Sequence, residues 1–89
     1  MKKQLPLVSV VMNCYNGEKY LKDAIDSIYA QSYSNWEIIF LDNASVDDSE
    51  VIAQSYDSKL RYYKAPNLLP LHEARNLAIE KCKGDAIAF

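Results

Sequence analysis

Two short segments, residues 7–12 (LVSVVM) and 36–41 (WEIIFL), are apolar at every position but one, and each gives way at once to a polar loop. Runs this short and this apolar fit strands buried on both faces, as in a parallel sheet covered by helices. The segments that follow them agree. Leu21, Ala24, Ile25, Ile28 and Tyr29 recur at helical spacing and predict an amphipathic helix over about residues 18–30. After the second run, Ser45 reads as an N-cap, with Asp47 and Asp48 in a first turn where the helix dipole favours carboxylates, so a second helix is expected to about residue 54 or 55.

The same alternation continues to the end of the chain. Residues 60–63 predict a third strand. Residues 71–81 predict a third helix, with Leu71, Ala74, Leu77 and Ala78 on one side and Gly84 as its stop. Residues 86–89 begin a fourth strand. The order β-α-β-α-β-α-β implies an α/β fold with a parallel sheet and right-handed crossovers. Ligands of such sheets bind outside the carboxyl ends of the strands. Three irregular loops, residues 13–17, 42–45 and 65–70, fall on that edge.

With 89 residues the chain suits one small domain, and its apolar share of 49% is that of a globular protein. A net charge of −2 with scattered Lys and Arg speaks against nucleic acid as a partner. The opening MKKQLPLVSVVMN has the charge and apolar stretch of a signal peptide, but Gln4 and Pro6 interrupt it and no small-residue cleavage site follows. No run approaches the roughly 20 apolar residues of a membrane span. The expected location is cytoplasmic, for the chain or for the cytosolic part of a longer protein that associates with the membrane from that side. Cys14 and Cys82 read as two reduced thiols, too few for a disulfide scaffold and, with His72 alone, for a zinc site.

With only Gly17 and Gly84 available, neither G-x-G-x-x-G nor G-x-x-x-x-G-K-[ST] can occur, which removes the NAD-type and P-loop readings. Cys14 reads as a packed small residue; a phosphatase-type loop would want an arginine where Tyr20 stands. Asp42 and Asn43 close the second strand, where a carboxylate either accepts hydrogen bonds from a ring N–H or ribose hydroxyl or caps the next turn. Near the start of the third helix, Glu73, Arg75 and Asn76 cluster. Arg75 either meets a phosphate or base carbonyl or forms a salt bridge within the fold.

Taken together and in order, VSVVMNCYN, YLKDAIDSIYAQSYSNWEIIFLDNASVDDS and NLLPLHEARNLAIEKCKGDAIAF resemble the start of family 2, the large group of inverting glycosyltransferases with the GT-A fold. The resemblance covers essentially the whole chain. It implies a nucleotide-sugar donor, usually a UDP-sugar, a divalent metal (Mn2+ or Mg2+), and a sugar, lipid or protein acceptor, as in bacterial polysaccharide synthesis. By position, Tyr15 and Asn16 match the loop lining the uridine pocket, with Glu18 helping to hold it. Asp42 matches the carboxylate on the uracil, Asn43 and Ser45 its neighbours, and Arg75 the arginine beside the nucleotide. The stretch NLLPLHEARN lacks the glycine that the family often carries before its arginine. No catalytic or metal-binding residue is assigned within residues 1–89: the metal ligands and the acceptor's general base are expected beyond residue 89, the chain being the nucleoside-binding, N-terminal part of a truncated GT-A domain.

The expected sheet is Rossmann-like, with strand order 3-2-1-4, the first two helices on one face and the third on the other. The chain, ending in an apolar strand, is expected to self-associate through the fourth-strand edge or the face beside the third helix. The alternative is a non-catalytic α/β nucleotide-binding or regulatory module. A receiver domain would want an acidic pair after the first strand and an aspartate after the third, where Asn13 and Lys64 stand. A nucleotidyltransferase would want a Gly/Arg/Lys-rich first loop in place of NCYNGEKY.

Overall fold

The computed structural model describes residues 6–88. The elements are β1 (Val8–Cys14), α1 (Leu21–Tyr29), β2 (Trp36–Asp42), α2 (Ser49–Gln54), β3 (Leu60–Lys64), α3 (Leu71–Glu80) and β4 (Ala86–Ala88). They form one sheet in the order β3-β2-β1-β4, all pairs parallel. The expected order is therefore the observed one. Phe89 and the lysines at positions 2 and 3 lie outside the described residues.

Alternation along β2 sorts the core into two faces. Trp36, Ile38 and Phe40 pack with Leu21 and Ile25 of α1 and Ala53 of α2. Ile39 and Leu41 point the other way and pack with Val11, Ala74 and Ala78, the last two from α3. Ile38, Ile39, Phe40 and Leu41 are fully buried, which explains why this segment reads as a continuous apolar run. Small residues, Ala74 and Ala78, let α3 lie close on its face.

Three local expectations need correction. The first helix starts at Leu21, not at residue 18, because residues 18–20 form a turn closed by the Tyr20 and Leu21 amides on the Gly17 carbonyl (3.2 and 3.0 Å). Ser45 caps no helix. Helix α2 begins at Ser49, whose amide donates to Asp47 Oδ1 (2.9 Å), while Ser45 is engaged with the first loop. Gly84 is not the stop of α3, which ends at Glu80 with the Lys81 and Cys82 amides turned back onto it. Instead Gly84 lies flat against β1, its amide on Ser9 Oγ (2.8 Å).

That contact belongs to a polar clasp on the α3 side. Glu37 accepts from Ser9 Oγ (2.5 Å), the Lys83 amide (2.9 Å) and Arg61 Nη2 (2.8 Å). Arg61 also donates to the Lys81 carbonyl (2.7 Å) and the Tyr63 hydroxyl (2.9 Å). One carboxylate thus joins β1, β3 and the connection into β4. Burial pushes the Glu37 carboxyl up, but the Ser9, Lys83 and Arg61 donors outweigh it and hold it below its ordinary 4.5. A folded-state value below the unfolded one contributes stability that is present above about pH 4.5 and is lost as pH falls through the lower folded value. Urea midpoints measured at pH 7 and below pH 4 should therefore diverge less in Glu37→Gln than in the wild type.

Candidate functional site at the carboxyl edge

Strands β1, β2 and β3 all end on one edge of the sheet, and the loops that leave them are stitched together there. The loop after β1 turns at Asn16, whose φ of 52° is left-handed, a region asparagine tolerates better than most residues. The Asn16 amide donates to Ser45 Oγ (2.9 Å), and Asn16 Oδ1 accepts from the Val46 amide (2.9 Å). One residue on, the Gly17 amide donates to the buried Ser49 Oγ (3.0 Å), and the Glu18 amide to Asp47 Oδ2 (3.2 Å). These last two bonds attach the first loop to the start of α2.

The loop after β2 is the hinge of the arrangement. Its Asn43 amide donates to the Cys14 carbonyl (2.8 Å). Ala44 sits at φ 59°, a strained conformation for a residue with a Cβ, and such strain persists only where neighbours impose it. The Asn43 side chain pairs with the backbone of Leu69 in both directions, donating to its carbonyl and accepting from its amide, each at 2.9 Å. The Asp42 carbonyl accepts from the Ala65 amide (2.9 Å). The third loop is thereby fastened to the second at both ends.

Asp42 itself is fully buried. Its Oδ1 accepts from the Ser45 amide (2.9 Å) and its Oδ2 from the Tyr62 hydroxyl (2.5 Å). Each oxygen thus has one protein donor, and the residue has no exposed surface. Asn43 and Ser45 are buried as well. The open surface of the edge comes instead from Tyr15, 51% exposed, with Asn16 and Glu18 beside it and the exposed Leu68 in the third loop. Arg75 is exposed on α3, directly after the buried Ala74 that packs against the sheet.

Of the residues singled out from sequence, Asn16, Asp42, Asn43 and Ser45 are joined by these bonds, and Glu18 takes part through its amide, its side chain being exposed. Tyr15 and Arg75 belong by position. Residues that the sequence reading passed over are Tyr62, Ser49 and the backbone of Leu69; Asp47 was read as a dipole partner ahead of a ligand. Tyr62 had a detectable signal: in LRYYK, period 2 places Leu60 and Tyr62 on one side, and parallel pairing sets Tyr62 beside Phe40. Among the described residues no three His, Cys, Asp or Glu side chains gather into a group that could hold a metal ion, and no helix is long and apolar enough to cross a membrane.

A parallel, Rossmann-like sheet with a loop-built platform at its carboxyl edge defines the class. The model of the glycosyl transferase family 2 matches residues 9–89, and the chain belongs to that family. It is 42% identical over 84 residues to an uncharacterized glycosyltransferase of Rickettsia typhi, an alignment covering 94% of this chain and 26% of that protein. The mannosyltransferase PcManGT of Pyrobaculum calidifontis, solved in complex with GDP-Man and Mn2+, superposes with a TM-score of 0.85 at 22% identity, over 92% of this chain and 26% of that one. Residues 1–349 of Staphylococcus aureus TarS, solved with UDP-GlcNAc, superpose with a TM-score of 0.83 at 26% identity, over 90% and 24%. The two solved proteins have the GT-A fold. The chain spans about a quarter of the length of each.

Proposed function

We propose that the protein transfers a sugar from a nucleotide-diphosphate-sugar donor, UDP-linked, to a sugar, lipid or protein acceptor with inversion. In this reading residues 1–89 supply the nucleoside half of the donor site. The observation that carries it is the stitched platform at the carboxyl edge, where ligands of open α/β sheets bind, with an aromatic ring, Tyr15, left half exposed on it. Family membership supports sugar transfer, and the UDP-GlcNAc bound by TarS supports the choice of UDP. Tyr15 offers a face for the base, Asn16 and Ser45 shape the loop beneath it, Asn43 holds the third loop against it, and Arg75 faces the nucleotide. Glu18 steadies the first loop. Asp42 serves the base by fixing the loop from below.

A divalent metal, Mn2+ or Mg2+, belongs to this proposal with its ligands on chain beyond residue 89; when bound it would neutralise the leaving diphosphate. The location proposed is cytoplasmic. Calorimetric titration with UDP tests the reading, with GDP as the competitor. UDP should bind the chain in preference to GDP, and Tyr15→Ala should weaken it by about 1–3 kcal/mol, the worth of stacking a base on an aromatic ring. No heat with either nucleotide, or equal binding by Tyr15→Ala, would overturn it.

We also propose that the chain self-associates. Strand β4 is exposed throughout, Ile87 included. Beside it on the α1 face, and not on the α3 face, runs an apolar groove of about 670 Å3 between Met12, Ile28, Trp36 and Ala88. Sedimentation across a concentration series should show dimers, and a monomer at the highest concentration would refute this.

A further inference from the structure

We propose that Tyr62 is a positioning residue for the donor site, aiming the loops after β1 and β2 through the buried carboxylate of Asp42. A continuous chain of hydrogen bonds carries the effect. The Tyr62 hydroxyl donates to Asp42 Oδ2, the Ser45 amide to Asp42 Oδ1, the Asn16 amide to Ser45 Oγ, and the Val46 amide to Asn16 Oδ1. The chain begins on the third strand and ends at the loop that carries Tyr15.

The root of the chain is packed against the core. The Tyr62 ring stacks on Phe40, its neighbour in register, with centroids 5.8 Å apart and planes 19° from parallel. Phe40 is fully buried and gives the partly buried Tyr62 ring a fixed wall to lie against. Burial, reinforced by the Asp42 carboxylate, pushes the phenol well above its ordinary 10.0, so it remains a donor throughout the neutral range. Without that donor, Asp42 Oδ2 is a buried acceptor with no partner, and its recourse is to turn toward other amides of the same loop or toward water. Either response moves Ser45, and with it Asn16.

A purely structural role predicts something different, namely a uniform loss of stability. Tyr56 supplies the control, because its hydroxyl also donates to a carboxylate, Asp26 of α1 (2.6 Å), on the same face of the sheet but away from the loops after β1 and β2. Amide hydrogen exchange should be read in the wild type, Tyr62→Phe and Tyr56→Phe. In Tyr62→Phe the Asn16, Ser45 and Val46 amides should exchange about tenfold faster or more, with Ile39 and Leu41 changed no more than in Tyr56→Phe; local opening of this kind is what exchange reports. Asp42→Asn provides a second route, and adding Tyr62→Phe to it should change these three amides less than Tyr62→Phe does alone, since the two act on one bond.

The ligand half of the assignment rests on the nucleoside-binding reading above. UDP affinity should fall about fivefold or more in Tyr62→Phe and less than about twofold in Tyr56→Phe. Unchanged exchange at the three amides, uniform acceleration across the sheet, or additive effects of the two substitutions would each overturn the role of Tyr62. A wild-type chain that binds no UDP would remove the nucleoside-binding reading, and the exchange result would still decide the positioning.

Discussion

Gly84→Ala is expected to detach β4 and destabilise the whole domain. A Cβ built on Gly84 falls 2.5 Å from Ser9 Oγ, 2.7 Å from the Ser9 amide nitrogen and 2.8 Å from the Leu7 carbonyl oxygen. Two of those three atoms are backbone, one in β1 and one in the residue just before it, and cannot rotate away. Relief requires residues 83–86 to withdraw, which breaks the Gly84–Ser9 and Asp85–Leu7 bonds (2.8 and 2.7 Å) and separates the Glu37 clasp from the Lys83 amide. Overpacking against a strand of this kind costs about 3 kcal/mol, the upper end for an added methyl group, before the lost hydrogen bonds are included. Urea unfolding should show the midpoint falling sharply. A slope that also falls would mean that β4 is already loose in the native state, whereas an unchanged midpoint would contradict the packing described here.

Phe40→Ala is expected to have the larger effect. Phe40 is fully buried at the centre of β2, inside the cluster formed with Leu21, Ile25 and Ala53. Truncating such a residue costs about 3–5 kcal/mol, a large share of the stability a domain this small can have, for which about 5–15 kcal/mol is the general range. Far-UV circular dichroism at 37 °C should show a largely unfolded chain. Phe40→Leu, which keeps most of the volume, should remain folded but lower the melting temperature and loosen Tyr62. Full native ellipticity in Phe40→Ala would show that the face under α1 and α2 can collapse to fill the space.

How much of this was visible beforehand depends on the distance over which each feature is encoded. Strands and their carboxyl-edge loops were legible because unbroken apolar runs such as IIFL record burial on both faces. Strand order and the split of the helices between faces matched expectation because handed crossovers leave few alternatives. Ser45 was misread because a serine before two aspartates is locally a helix cap; its engagement with Asn16, 29 positions away, leaves no trace in its own neighbourhood. Gly84 was misread for the same reason, since glycine after a helix is a stop signal and its contact with Ser9 lies 75 positions back. The burial of Asp42 was the hardest to foresee. Its partner Tyr62 is 20 positions away on a strand whose alternation alone indicated it.

The placement of β1 has a consequence for how the chain is made. β1 emerges first, pairs with β2 and so begins the sheet, yet its other side waits for β4, and the bond from the Leu7 amide to Asp85 spans 78 positions. During translation a three-stranded intermediate of β1, β2 and β3 can form while the polymer is still growing, with β1 as an edge strand whose outer side is unpaired. Closure of so distant a pair is entropically slow relative to neighbouring contacts. Until β4 arrives, that side of β1 carries unpaired backbone groups of the kind that template pairing with another chain.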